Sequence, residues 1–369
     1  MKKSNSKRLT MIFSIVFGLL LGMVIISTHF FEVSGLDLVV RFAEVFLFLT
    51  LSAYIHIALH EAGHLVAGLI SGYHFVSYRF GKTMVMHDSN GKLVKKKYAV
   101  AGTGGQCIMG PPEYSDELPT TLYNYGGGLA NLLLAVISLI IYLLINNIHV
   151  KVFFSILGLI GVFLAATNLI PLTSDMVTND GANEREVRKS NTARKAFWSQ
   201  LKVTELISEG VNSRDIPEEY FDFEPDPDNY MINASYVMKI NRYMNPVDYE
   251  KCRVLMEDFL DKDYPCISMY KYLFRSDLLF CKMLNDEEVK KEYKELEPVL
   301  VKMRTIPGIL RTMYAYDKLV LKDEAQAGQI LQQFEAVMAN YPYPQDSDIE
   351  RGLIALVDSK VYNLNNKVG

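Results

Sequence analysis

The sequence predicts an α-helical polytopic membrane protein, with about four transmembrane helices and a small β-hairpin region, followed by a cytosolic all-α domain. Half of the 369 residues are hydrophobic. They concentrate before about residue 172, whereas the remainder is charged and rich in tyrosine. A chain of this length is sufficient for two domains. We therefore predict a transmembrane domain over residues 1–185 and a cytosolic helical domain over residues 186–369.

Four apolar stretches are long enough to cross a bilayer. They run from about Leu9 to Ser27, within Leu36–Gly72, from about Gly128 to Ile145, and from about Val150 to Leu172. The first could be a signal peptide, but its core is long and no Ala-x-Ala-like site follows it, so a retained span is favoured. The second would be about 55 Å long as a straight helix, against a hydrocarbon core of about 30 Å, so it exceeds a simple crossing.

The distribution of Lys and Arg predicts the orientation of these spans, because cytosolic loops carry an excess of both. The N-terminus is basic, residues 73–125 hold six Lys and Arg residues, and five more follow the last span. The connection over residues 30–37 holds none. The pattern predicts a multi-pass protein of the cell membrane, with its N-terminus and its C-terminal domain in the cytoplasm.

A His-Glu-x-x-His motif lies inside the second apolar stretch, at His60, Glu61 and His64. The spacing puts both imidazoles on one face of a helix with a carboxylate beside them, which is typical of a zinc-binding pair and a general base. Ionisable groups within a span are costly and usually functional. The alternative is a helix whose two His and one Glu side chains hydrogen-bond to neighbouring helices.

Two further motifs follow in order: Gly127-Gly128-Leu129-Ala130-Asn131 before the third span, and Asn168-Leu169-Ile170-Pro171 with a later Asp180-Gly181 after the fourth. With His-Glu-x-x-His, this series resembles the site-2 protease family of intramembrane zinc proteases over about residues 45–185. That family has a Gly-rich turn opening the span and an Asp-Gly pair after the last core span. This chain departs from it in having Gly128 where the family often has Pro, and in the long spacing from Pro171 to Asp180.

A catalytic zinc needs three protein ligands and one open position. The resemblance implies one Zn²⁺ per chain, held by His60, His64 and Asp180. Asp175 competes with Asp180, which we prefer because Gly181 allows a tight backbone turn that would aim a carboxylate inward. Both aspartates could instead be solvated loop residues. His56 lies one turn before His60, and as a fourth ligand it would close the site, so we assign it to packing behind the ligands.

Glu61 is predicted to take a proton from the metal-activated water and pass it to the leaving amine. The resemblance implies that Asn131 positions the substrate or stabilises the oxyanion. The alternative for Asn131 is a polar residue at a helix entry.

The segment over residues 73–125 does not span the membrane. Phe75–Val85 and Leu93–Val100 flank Asn90-Gly91, which is a strong hairpin turn signal, and Gly102–Met109 could add another short strand. In the resembled family such strands dip toward the active site. Gly104, Gly105 and Gln106 would then bind an unwound substrate by strand addition, because the glycines let another backbone approach. An ordinary Gly-rich connector is the alternative.

After an acidic, Pro-interrupted linker or loop over Asp215–Asp228, the tail contains three predicted helical pairs with a period of about 35–40 residues, similar to tetratricopeptide hairpins. They are Tyr249–Asp261 with Ile267–Leu284, Glu287–Arg304 with Gly308–Val320, and Glu324–Tyr341 with Asp346–Val361. A compact helical domain without repeats is the alternative. Either would bind a cytosolic protein partner more readily than do chemistry.

These features together predict an intramembrane zinc-dependent endopeptidase acting in regulated intramembrane proteolysis. Its substrate would be a membrane-embedded peptide or single-span protein, such as an anti-sigma factor, a signal-peptide remnant or a small peptide precursor. The near-neutral charge argues against a nucleic-acid partner. The alternatives are a catalytically inactive scaffold or receptor with a vestigial motif, which an intact Glu61 disfavours, and a zinc-dependent transporter, which the lack of inverted repeats disfavours.

Overall fold

A computed structural model of the chain describes residues 3–27, 34–88, 91–98, 103–172 and 178–368. These residues form thirteen α-helices and four β-strands. The chain divides into two compact units. The first comprises Met1–Phe80 with Gly104–Lys189, and the second comprises Gly81–Thr103 with Ser190–Gly369.

The first unit contains four helices that are long and apolar enough to cross a membrane. They are α1 (Lys3–Ser27), α2 (Leu36–Ile70), α3 (Thr121–Leu144) and α4 (Ile148–Leu169). The prediction of four apolar helices is therefore confirmed. The predicted start of the third helix at Gly128 was wrong, because α3 begins at Thr121 and the predicted Gly-rich turn is part of the helix.

Large apolar side chains of these four helices are exposed, and polar side chains are buried between them. Leu19 and Leu143 are well exposed, whereas His56, Asn131 and Ser138 are buried. An apolar exterior of this kind suits a lipid environment, in which polar groups must find partners inside the protein.

Small residues bring α2 and α3 unusually close. A Cβ atom added to Gly63 would lie 2.4 Å from the carbonyl oxygen of Gly126 and 2.7 Å from Cβ of Ala130. A Cβ added to Gly126 would lie 2.6 Å from that of Ala67. Such contacts between small residues are typical of packed membrane helices, and here they set the His-Glu-x-x-His face of α2 directly against α3.

The strands form one antiparallel sheet in the order β3-β2-β1-β4. They are β1 (His74–Phe80), β2 (Thr83–His87), β3 (Leu93–Lys97) and β4 (Gly105–Gly110). The predicted strand over 75–85 is in fact two, because the chain turns at Gly81 with a positive φ of 57°. The predicted hairpin joins β2 to β3, although Asn90, residues 99–100 and Gly102 lie outside the described residues. Within the first unit β4 pairs with β1 and is the edge strand.

A short helix, α5 (Asp180–Val187), ends the first unit, and the second unit contains the remaining eight helices of the described residues. These are α6 (Asn191–Ser208), α7 (Tyr230–Asn241), α8 (Tyr249–Asp261), α9 (Ser268–Leu284), α10 (Lys290–Lys302), α11 (Pro307–Ala315), α12 (Glu324–Met338) and α13 (Pro344–Val368). All six predicted tail helices are present. Their side chains, among them Phe259, Phe280 and Phe334, form one continuous buried core. The relation to tetratricopeptide repeats stays a prediction.

Candidate metal centre

The candidate metal centre begins with two imidazoles on α2. His60 and His64 are one turn apart, and their Nε2 atoms lie 3.1 Å from each other. Glu61 lies beside them and is 8% exposed. As the sequence predicts, the helical spacing of the motif places both imidazoles on one face of α2, with the carboxylate of Glu61 beside them.

Asp180 joins the two imidazoles from the first turn of α5. Its Oδ2 lies 3.3 Å from Nε2 of His60 and 3.5 Å from Nε2 of His64. Among the described residues, these three form the group of His, Cys, Asp and Glu side chains that could hold a metal ion. The structure thus brings together the predicted triad. The competing residue, Asp175, lies outside the described residues.

Asn179 and Glu184 hold α5 in this position, and sequence reasoning missed both. The Asn179 side chain accepts hydrogen bonds from the backbone nitrogens of Ala182 and Leu172, and it donates to the carbonyls of Thr167 and Ile170. It therefore caps α5 and ties it to the end of α4.

The buried Glu184 carboxylate accepts from Thr121 Oγ1 at 2.5 Å and from Asn124 Nδ2 at 2.9 Å, which ties α5 to α3. No local sequence motif predicts that Glu184 joins α5 to α3, because its partners are about 60 residues away in sequence.

The geometry and chemistry of the triad fit a metal ion such as zinc. Two ligands at about 2.0–2.1 Å from a tetrahedral ion are about 3.3 Å apart, close to the separations of 3.1, 3.3 and 3.5 Å found here. Oδ2 of Asp180 is buried and accepts no hydrogen bond from the described residues, and a buried oxygen of this kind requires a partner.

Glycine residues leave the space that the triad occupies. A Cβ added to Gly127 would lie 2.6 Å from Nε2 of both His60 and His64. A Cβ added to Gly181 would lie 2.4 Å from the carbonyl oxygen of Leu169. Gly181 lies in the first turn of α5, so the expected tight turn was the wrong reason for this glycine. Its role is to let α5 approach the end of α4.

The hydrogen bond of Nδ1 of His64 determines which ring nitrogen carries the proton. Nδ1 of His64 lies 2.8 Å from the carbonyl oxygen of Tyr123. Because a carbonyl only accepts, Nδ1 must donate, and the neutral ring then presents the lone pair of Nε2 toward Asp180. Such a carbonyl partner is typical of metal-binding histidines.

His56 and Asn131 lie behind His60 rather than among the ligands. Nε2 of His56 lies 2.8 Å from the carbonyl oxygen of Leu157, and Nδ1 lies 3.1 Å from Oδ1 of Asn131. Nδ2 of Asn131 lies 3.1 Å from Nδ1 of His60. Asn131 thus contacts Nδ1 of His60, whereas Nε2 of the same ring faces Asp180. The expected action of Asn131 on an oxyanion stays a prediction.

The first residues of β4 run past Glu61. A Cβ added to Gly105 would lie 2.6 Å from Oε1 of Glu61, and the buried Arg79 donates from Nη2 to the carbonyl oxygen of Gly105 at 3.0 Å. Gly104 and Gln106, on either side, are exposed. The structure therefore places Gly105 beside the predicted general base, whereas a Cβ added to Gly104 would have its nearest contacts with Ile57.

Comparison of the chain with protein-family models, with curated proteins and with solved structures found no match. The resemblance to site-2 proteases therefore depends on the sequence motifs and their order alone.

Proposed function

We propose that this protein is an intramembrane zinc-dependent endopeptidase. The observation that carries the proposal is the His60, His64 and Asp180 triad, in which a buried carboxylate oxygen without a hydrogen-bond partner faces two imidazole nitrogens. Its two histidines belong to α2, which is one of four helices of transmembrane length and composition. In the proposed arrangement these helices cross the cell membrane, with both the N-terminus and the helical tail in the cytoplasm.

His60, His64 and Asp180 would hold the ion and leave a fourth position open. A zinc ion held in this way supplies a Lewis acid that activates water at neutral pH. Glu61 accepts the proton of the attacking water and delivers it to the amine of the broken peptide bond. Its position next to the imidazoles on α2 suits this role.

The neighbouring strand gives the proposal its substrate class. A peptide bond inside a helix is shielded because its amide and carbonyl belong to the backbone ladder, so a membrane-embedded helix must unwind before attack. Unwound backbone in lipid needs new hydrogen-bond partners. β4 is the edge strand of the sheet and begins beside Glu61, so it is suited to take an extended substrate as a further strand. We therefore propose membrane-embedded peptides or single-span proteins as substrates.

Metal analysis paired with cleavage of a model transmembrane peptide tests the proposal on the full-length protein. We expect one zinc per chain, and its loss when His60 or His64 is changed to Ala. Asp180→Ala should reduce zinc binding more than Asp175→Ala. The reverse order would overturn the choice of Asp180.

Glu61→Gln separates catalysis from metal binding, because it keeps the shape of the side chain and removes the base. We expect this variant to retain zinc and to lose most turnover. Full activity of Glu61→Gln would exclude the mechanism. A wild-type protein that binds zinc yet cleaves no transmembrane peptide would favour an inactive scaffold or receptor.

A further inference from the structure

A buried chain of polar groups leads away from the metal centre. It runs from Nδ1 of His60 through the amide of Asn131 and both nitrogens of His56 to the carbonyl oxygen of Leu157, with separations of 3.1, 3.1 and 2.8 Å. Asn131 is 1% exposed and His56 is fully buried. This series of contacts links α2, α3 and α4 through two side chains, Asn131 and His56, that lie outside the triad.

The far end of this chain has a defined polarity. A carbonyl oxygen can only accept, so Nε2 of His56 carries a proton and donates to Leu157. A neutral His56 then has an unprotonated Nδ1, which must accept a hydrogen bond. Its neighbour at Nδ1 is Asn131, so the group of Asn131 that faces His56 should be the donating NH₂.

In the structure Oδ1 of Asn131 faces His56 and Nδ2 faces His60. This orientation requires His56 to donate from both nitrogens, as a buried cation, and burying an unpaired charge is costly. It also requires Nδ1 of His60 to accept, so that the neutral ring keeps its proton on Nε2, the nitrogen that faces Asp180. A half-turn of the amide exchanges its oxygen and nitrogen, which have nearly the same shape, and removes both difficulties.

We infer that Asn131 is a positioning residue that makes Nε2 of His60 the metal-binding nitrogen. Its Nδ2 donates to Nδ1 of His56, and its Oδ1 accepts from Nδ1 of His60. The lone pair of His60 then points toward Asp180. The inference rests on the proposed metal site and adds to it the role of His56.

Close packing of α4 holds His56 in place within the relay, by which we mean the hydrogen-bonded series from His60 through Asn131 and His56 to Leu157. A Cβ added to Gly161 of α4 would lie 2.6 Å from Cε1 of His56 and 2.9 Å from the carbonyl oxygen of Asn131. The absence of a side chain at Gly161 therefore lets α4 close over the imidazole. Both ligand imidazoles are thus oriented by a backbone carbonyl: His64 directly by Tyr123, and His60 by Leu157 through two side chains. Partners of metal ligands commonly fix tautomers in this way.

The first test observes the tautomer without a substitution in the relay. In full-length protein labelled with ¹⁵N-histidine and freed of metal, the ring nitrogens of His60 are assigned by their loss in a His60→Gln variant. We expect the shift of a protonated Nδ1, whose proton the amide oxygen of Asn131 accepts. An unprotonated Nδ1 of His60 would overturn the inference.

The second test measures zinc affinity by competition with a chelator. Asn131→Leu removes the acceptor for His60, and His56→Leu removes the group that orients the Asn131 amide. Each should weaken zinc binding by about 10–100-fold, the usual effect of losing a partner of a metal ligand. Asn131→Asp keeps an acceptor toward His60 and should retain most of the affinity.

Ser138→Ala is the matched control, since Ser138 is a buried polar residue of α3 whose hydroxyl, among the described residues, donates to the carbonyl of Leu134 in its own helix. Wild-type affinity in folded Asn131→Leu, or an equal loss in Asn131→Leu and Asn131→Asp, would contradict the relay. Neither test measures cleavage. A protein that binds zinc but fails to cut peptides would contradict the proposed function, whereas the zinc affinities of the variants would still test the role of Asn131.

Discussion

The triad leaves no room for a side chain at Gly127. A Cβ at this position would lie 2.6 Å from Cε1 and Nε2 of His60 and from Nε2 of His64. Gly127→Ala should therefore displace the imidazoles and lower zinc affinity by at least about tenfold, a loss like that expected for a misplaced ligand. Alanine favours helices over glycine by about 1 kcal/mol, so a loss of zinc would come from contact with the ligands and not from a weaker helix.

Gly158→Ala is the control for this prediction. Gly158 lies in the neighbouring helix α4, and a Cβ there would have its nearest contact at 3.4 Å, with Cβ of Ser138. That distance is ordinary van der Waals contact, so zinc affinity should stay at the wild-type value. Chelator competition measures both variants. Equal affinities of the two variants would show that the space beside Gly127 is not what the ligands need.

At this scale, the sequence is most informative where chemistry depends on local spacing. The pair His60 and His64 could be predicted because one helical turn separates them. The contact of Asn131 with His60 and the role of Glu184 could not, because each depends on a partner in another helix, 71 and 60 residues away in sequence. Asp180 was predicted from the family pattern and from a tight turn expected at Gly181. In the structure Gly181 belongs to α5, and the contacts of Asn179 hold that helix in place.

The edge strand β4 carries the next prediction, which concerns how an element meets the substrate. A substrate that adds to β4 would bind through its backbone, and alternate residues of a strand point their amides to the same neighbour. In model transmembrane peptides with single N-methylated amides near the cleavage site, we expect cleavage efficiency to fall at every second position. A fall that is uniform, or that follows side-chain size, would exclude strand addition.

Changing the substrate avoids an ambiguity in changing the enzyme. Pro in place of Gly105 would remove a backbone donor, but a Cβ at Gly105 would also lie 2.6 Å from Oε1 of Glu61. Reduced cleavage would then have two explanations, a disturbed general base or a lost strand contact. N-methylation leaves Glu61 and the metal ligands intact, so its effect reports on the backbone contact alone.

Elements were predicted well where apolar length decides them and less well where glycine occurs. A run of glycines before a span indicates a turn, yet Gly126, Gly127 and Gly128 lie within α3. They are present because α2, the imidazoles and Leu169 occupy the space where their side chains would be. That reason is tertiary, and sequence periodicity does not contain it. At Gly81 the opposite holds, since its positive φ divides one expected strand into two.

At the scale of the whole molecule, the second unit contains more than the tail. The segment Gly81–Thr103, which carries β2 and β3, belongs to the same unit as residues 190–369. Tyr98 of this segment packs edge-on against Tyr341 and Tyr343, with ring centroids 5.8 and 6.4 Å away. A truncation that removes the tail therefore also removes the aromatic partners of Tyr98, which a boundary drawn along the sequence at residue 185 would not suggest.

Truncation after Thr192 should leave the zinc site intact, because all three ligands and the helices that hold them belong to the first unit. We expect wild-type zinc content and reduced processing of the natural substrate in cells.

A Tyr341→Ala, Tyr343→Ala double variant separates two reasons for that reduction, since it keeps the tail and removes the ring contacts that Tyr98 makes with it. The exposed Tyr362 of α13 provides the control, Tyr362→Ala. A tail that only recruits substrate predicts normal processing by the double variant, whereas a tail that acts through β2 and β3 predicts a loss close to that of the truncation. Unchanged processing after truncation would mean that the tail neither recruits the substrate nor acts through these strands.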